Sequence, residues 1–323
     1  MTPLTRTPHD PPALVLVAHG SRDPRARVTV DALMERVRRL RPALAVRLGH
    51  IELNEPLLPD TLARLGPTGT TGTTGTAAEP EARTATEPEA RTATEAEART
   101  AAEAEAPAAA VLVPLLFSPG HHVKHDIPET AASASVRARV AAPLGPHPLL
   151  VDALCARLAE AGWRTLRDEA TRRVSAVVLA AAGSRDPDSA AGTRRTARLL
   201  AERVGVPVVP AYASAAAPTV EAAVRALAER GRHRVAVASC FTAPGRFATE
   251  CANAAPWIAA APLGDHPALA RLVLHRYDQA LGHDEALGHD QVLDHHQALG
   301  QDDALLPGHP LTVRPPRTLT PAA

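Results

Sequence analysis

One short pattern occurs twice in this chain. Gly20-Ser21-Arg22-Asp23-Pro24 returns as Gly183-Ser184-Arg185-Asp186-Pro187, each time directly after an apolar run, 13–18 and 174–181. Other landmarks repeat in the same order. Pro56 answers to Pro218, and Pro119-Gly120 to Pro244-Gly245. Leu144-Gly145-Pro146-His147-Pro148 is echoed by Leu263-Gly264-Asp265-His266-Pro267. Once the stretch 66–107 is set aside, the spacings agree. The chain must therefore fold as one strand–helix unit used twice, and alternating strands and helices build parallel sheets. The expected fold class is α/β, two tandem doubly wound parallel-sheet domains with a low-complexity insertion in the first. We expect domains over 13–150 and 151–281, with a helix over 148–161 as the connection and a tail over 282–323.

Local signals fill in the unit. The run 13–18 reads as a buried parallel strand. Asp23 followed by Pro24 reads as an N-cap and first helical position. Val30, Leu33, Met34, Val37 and Leu40 then share one helical face, and Pro42 ends the helix. Further strands are expected over 45–53, 108–117 and 136–142, with a helix over 57–65. In the second half, strands are expected over 174–181, 206–213 and 235–241. Between them, 66–107 is glycine and threonine followed by eight-residue repeats of the EPEARTAT type, with almost nothing large and apolar to bury. We read it as a surface insertion, which costs little closure entropy. From Asp278 a six-residue unit, DQALGH, repeats and carries His283, His289, His295 and His296; the proline-rich end reads as disordered.

Composition excludes several roles. Lysine plus arginine equals aspartate plus glutamate, 35 each, so bulk charge predicts neither a nucleic acid nor a membrane as partner. Aromatics are 2%, too few for base-stacking surfaces. Cys155, Cys240 and Cys251 form no metal or disulfide spacing and read as plain thiols of a reducing cytoplasm. No signal peptide or membrane span is expected. The chemistry lies instead in how the two halves differ. Ala182 stands where His19 stood, Ala217 where Glu55 stood, and Phe247 where His122 stood, while the glycines and prolines around them persist. Three ionisable groups lost together suggest a set that acts together, in the first half only. Two imidazoles and a carboxylate can ligate a divalent first-row metal and can also accept protons near neutral pH. All three sit in loops at the carboxyl ends of parallel strands, where open α/β sheets bind ligands.

The segments Ala18-His19-Gly20-Ser21-Arg22, Glu52-Leu53-Asn54-Glu55-Pro56 and Gly120-His121-His122-Val123-Lys124-His125-Asp126-Ile127-Pro128 resemble the sirohydrochlorin chelatase family, which is similar to the class II tetrapyrrole chelatases. The resemblance spans about 13–281 outside the insertion. It implies insertion of Co2+ or Fe2+ into sirohydrochlorin, for cobalamin or sirohaem biosynthesis, with no tightly bound cofactor. It implies His19, Glu55 and His122 as metal-binding and proton-accepting residues. It also implies a monomer with pseudo-two-fold symmetry, like the family's long two-copy members. His121 sits where the family often has glycine. The substrate's carboxylates call for cations at the rim, and Arg22 and Lys124 are the candidates.

Several residues read more plainly. Ser21 and Asp23 recur in both halves and look like caps. Arg22 also recurs, so a structural ion pair is its alternative. His147 and His266 lie in matching turns and look structural, and His125 reads equally as a solvated loop residue. The tail histidines read as compositional drift, with metal collection as the alternative. Two other functions stay open. A carrier of metal or tetrapyrrole would need the same residues without turnover. A phosphohistidine phosphatase or mutase also places His-Gly after its first strand, but wants an arginine before the histidine, where this chain has Ala18.

Overall fold

The computed structural model describes residues 11–66, 109–164 and 168–282. The first half runs β1 (Ala13–Ala18), α1 (Pro24–Leu40), β2 (Val46–His50), α2 (Leu58–Ala63) and β3 (Ala110–Pro114). A π-turn (His122–Asp126) leads into α3 (Ile127–Ser133), β4 (Ala138–Val140) and α4 (Pro148–Glu160). After α5 (Glu169–Val174) the order repeats: β5 (Ser175–Ala181), α6 (Pro187–Val204), β6 (Val208–Tyr212), α7 (Val220–Glu229), β7 (Arg234–Ser239), α8 (Arg246–Asn253), β8 (Ile258–Ala259) and α9 (Pro267–Leu281). The sheets are ordered β2-β1-β3-β4 and β6-β5-β7-β8, and every named pairing is parallel.

Each central strand is apolar on both faces because helices cover both faces. Leu14 and Leu16 of β1 pack with Val30, Leu33 and Val37 of α1. Val15 and Val17 turn the other way, toward Leu58, Leu62 and Ile127. This is the doubly wound arrangement expected from the sequence. The caps match as well. Asp23 accepts from the Arg25 N–H and Asp186 from the Asp188 N–H, both at 2.9 Å. Ser21 and Ser184 hydroxyls each accept from the N–H two residues on, both at 3.1 Å.

The halves exchange helices. α4 packs on β7 of the second sheet, while α9 packs on β3 of the first. The Tyr277 hydroxyl of α9 donates to the Pro12 carbonyl at 2.6 Å. The Arg41 guanidinium at the end of α1 forks onto the Asp278 carboxylate at 2.6 and 2.7 Å. Arg36 reaches Asp265 at 2.8 Å, and Arg203 of α6 reaches Asp152 of α4 at 2.8 Å. One apolar core consequently runs through both halves, from Leu14 and Leu33 to Val177, Leu200 and Leu272, and all described residues belong to one compact unit.

Three expectations need adjustment. The strand expected over 45–53 stops at His50, because 51–56 turns away as the site loop. The repeat unit beginning at Asp278 is at first helical: α9 continues to Leu281 and is capped by Gly282 at φ 78°. The loop expected to carry His122 is a π-turn that runs into a helix. The rest of the insertion, 67–107, and the tail with His283, His289, His295 and His296 lie outside the described residues.

Candidate metal-binding site

The site starts from a glycine. Gly20 has φ 102°, and a Cβ there would lie 1.9 Å from the Glu52 carbonyl oxygen. Only glycine lets the loop after β1 lie directly on the loop after β2. Three hydrogen bonds bind these loops: Ile51 N–H to the Ala18 carbonyl at 2.9 Å, Glu52 N–H to the His19 carbonyl at 3.1 Å, and Ser21 N–H to Asn54 Oδ1 at 2.6 Å. His19 and Glu52 therefore stand side by side, with Nδ1 and Oε1 3.5 Å apart. The second half keeps this scaffold. Gly183 has φ 91° and faces the Ser214 carbonyl at the same 1.9 Å, and Ala182 accepts from the Ser214 N–H at 3.0 Å. The peptide bonds Glu55-Pro56 and Ala217-Pro218 are both cis.

The second imidazole comes from the π-turn. The Ile127 N–H bonds back to the His122 carbonyl, five residues earlier. Pro128 follows and has no N–H to continue an α-helical ladder, so a widened turn fits here. His122 and Asp126 share a face of this turn, and His122 Nδ1 is hydrogen-bonded to Asp126 Oδ2. The His19 and His122 rings meet edge to face, centroids 4.8 Å apart and planes at 89°. Their side chains are 44% and 34% exposed, so both remain reachable. A cleft of about 320 Å³ opens beside them, with Glu52, His122 and Asp126 over the apolar Leu57, Leu58 and Ile127.

These loops lie on the seam between the halves. Gly120 faces the Ser184 hydroxyl, and Gly245 faces the Ser21 hydroxyl. Ser118 and Ser189 hydroxyls are 2.8 Å apart. Lys124 crosses the same seam.

Of the expected ligands, His19 and His122 come together. Glu55 is held differently: its carboxylate accepts from the Leu57 N–H at 3.1 Å. The carboxylates that meet the imidazoles are Glu52 and Asp126. Among the described residues, no group of three or more His, Cys, Asp or Glu side chains is arranged to hold a metal ion. Lys124, a candidate for the substrate's carboxylates, spends its charge on Asp186 at 2.6 Å and Asp188 at 2.7 Å. Those two carboxylates raise its pKa, and Lys124 holds Asp186 below the usual carboxylate range. Arg22 is exposed. His121 and His125 stack at 5.0 Å on the outer side of the turn, and His121 Nε2 is 3.3 Å from Asp126 Oδ1. His147 and His266 are caps: each Nδ1 accepts from an N–H two residues on, at 3.1 and 3.2 Å.

Sequence reasoning missed Glu52 and Asp126. Both left a signal. Asp126 stands four residues after His122, a spacing that shares a helix face. By the duplicated register its counterpart is Cys251, and that of Glu52 is Ser214.

Solved structures give the frame for this geometry. The SirB protein from Bacillus subtilis with Fe3+ superposes with TM-score 0.55 at 21% identity, over 83% of this chain and 94% of that one. The sirohydrochlorin chelatase SirB from Bacillus subtilis subspecies spizizenii in complex with cobalt gives 0.56 at 19% identity, over 84% and 96%. DR2241 from Deinococcus radiodurans, a multi-domain protein with structural similarity to chelatases, gives 0.53 at 20% identity, over 86% of this chain and 56% of that one. No curated protein matches this sequence. Paired parallel sheets of this kind, with imidazoles at the strand ends of one sheet only, define an α/β protein of the chelatase-like class. The CbiX family model matches residues 13–74, 82–161 and 176–280. The chain belongs to the CbiX family.

Proposed function

We propose that this chain is a sirohydrochlorin chelatase, inserting a divalent metal, Co2+ or Fe2+, into the tetrapyrrole on the way to cobalamin or sirohaem. The observation that carries this reading is the His19–His122 pair, rings 4.8 Å apart beside a cleft, in a chain of the CbiX family. The second half keeps the glycine turns and has Ala182 and Phe247 instead. Imidazole nitrogens suit iron and cobalt alike. Two protein ligands hold an ion less firmly than three or four, and this ion must leave.

We place a flat macrocycle at the mouth of this cleft, against Leu57 and Pro59, with His122 at its edge. As the metal passes to the macrocycle, two pyrrole N–H protons must go. His19 and His122, freed of metal, are bases within reach of them, and the exposed Glu55 on the neighbouring loop after β2 is a carboxylate to pass protons outward. Arg22 is the cation we assign to the substrate's carboxylates. The chain works as a cytoplasmic monomer in this reading, its second half packed against the loops that carry the imidazoles.

The test is an insertion assay. The protein is mixed with sirohydrochlorin and Co2+ or Fe2+ under anaerobic conditions, and the absorbance change is followed. Acceleration over the uncatalysed rate is expected. A rate equal to the uncatalysed one, with metal or tetrapyrrole still bound, would leave the carrier reading in its place.

A further inference from the structure

We infer that Asp126 is a positioning residue that fixes the tautomer of His122, so that its imidazole presents a bare Nε2 to the incoming cation. This rests on the reading of the two histidines as metal ligands.

The carboxylate contact is a hydrogen bond at His122 and a longer ion-pair approach at His19. Asp126 Oδ2 is hydrogen-bonded to His122 Nδ1, and Glu52 Oε1 lies 3.5 Å from His19 Nδ1. An ionised carboxylate only accepts hydrogen bonds. The ring nitrogen facing it must therefore carry the proton, and in a neutral imidazole the other nitrogen then holds the lone pair. A carboxylate behind a ligating histidine sets ring orientation and raises ligand basicity. Asp126 is shared: its Oδ1 lies 3.3 Å from His121 Nε2, which leaves Oδ2 for His122.

The duplication supplies the second argument. Where His122 has become Phe247, Asp126 has become Cys251; where His19 has become Ala182, Glu52 has become Ser214. Each imidazole is absent together with its carboxylate. The acids that only cap helices behave otherwise, since Asp23 and Asp186 are both present. A purely structural Asp126 would have no reason to follow its histidine. Cys251 is buried against the second half's core, a place an unpaired carboxylate could not occupy.

The decisive measurement is the tautomer state. Two-bond 15N–1H correlation spectra of the metal-free full-length chain near pH 8, assigned with His19→Ala and His122→Ala, report which nitrogen is protonated. His122 is expected as the Nδ1–H form. Asp126→Ala is expected to release His122 to the Nε2–H form and to weaken Co2+ binding by about 10- to 100-fold, with Asp126→Glu restoring part of the loss. An Nε2–H His122 in the unaltered protein would overturn the inference. So would an Asp126→Ala variant that melts normally and binds Co2+ as tightly as the parent. A parent chain with the expected tautomer and Co2+ binding, yet no insertion activity, would count against the enzyme reading and support this one.

Discussion

Lys124 and Asp186 join the two halves: the ammonium of the first-half turn lies 2.6 Å from the carboxylate that caps α6 of the second. Asp188 receives the same ammonium at 2.7 Å. The pair ties the metal-site turn to a helix start that both halves share. It also gives the Lys124 ammonium two carboxylate partners within the protein. Lys124→Ala is expected to leave KM for the tetrapyrrole close to that of the parent, whereas Arg22→Ala is expected to raise it. The pair is exposed, and exposed ion pairs contribute little to stability, so both variants should melt near the parent. Steady-state kinetics on the two variants check this.

The two loop carboxylates should separate in the same assay. Glu52 stands against the His19 ring, whereas Glu55 accepts from a backbone N–H. Glu52→Gln is expected to lower insertion more than Glu55→Gln. The reverse order would place Glu55 in the ligand set.

The histidine pair and its absent counterpart make a sharper contrast. His19→Ala and His122→Ala are each expected to lower kcat/KM by about 100-fold or more, the scale of a lost base. Phe247 sits half-buried with the Arg246 guanidinium 4.8 Å over its ring. Phe247→Ala is expected to lower stability by about 1–3 kcal/mol and to leave insertion intact. Thermal melts beside insertion rates distinguish the two outcomes.

The twin glycines provide an internal control. Gly20→Ala and Gly183→Ala each place a methyl 1.9 Å from a carbonyl oxygen, at φ 102° and 91°. Each should destabilise by more than about 1 kcal/mol. Only Gly20→Ala also moves the His19–Glu52 pair, so it alone should lose metal binding out of proportion to stability. Chemical denaturation with Co2+ titration of both variants checks the difference.

Acid should weaken the fold through a buried cap. Burial pushes the His147 imidazole down to about 4, and Arg276 and His275 add to the shift. Its ordinary value is 6.5. Between these pH values the unfolded chain binds the proton and the folded chain does not, so stability is full above pH 6.5 and falls as pH drops toward 4. His147→Asn can cap α4 without titrating. Melting temperatures from pH 7 to 4 should fall less steeply for that variant than for the parent.

Much of the site was legible before any coordinates. His19 and His122 stood out because Ala182 and Phe247 replaced them on an otherwise repeated frame. Asp23 and Pro24 announced the helix start, and His147 and His266 their capping turns. Glu55 drew attention for the same reason as the histidines, yet Glu52 is the residue beside His19. The choice between two acids three residues apart depends on Leu53, which takes φ 66° and turns the loop over between them. Nothing in a linear spacing shows a single residue in the left-handed region. Asp126 was hidden because the turn that brings it beside His122 is helical where the sequence suggested a loop.

The sequence by itself determined the repeated unit, its parallel strands and the half that carries imidazoles, because apolar runs, prolines and glycines act over a few neighbouring residues. Only the tertiary structure decided that α4 lies on the second sheet and α9 on the first, and that Lys124 meets Asp186 across the seam. Periodicity says which face of a helix is apolar and is silent on which sheet will cover it. That choice is made by packing between residues more than a hundred positions apart, such as Arg41 with Asp278.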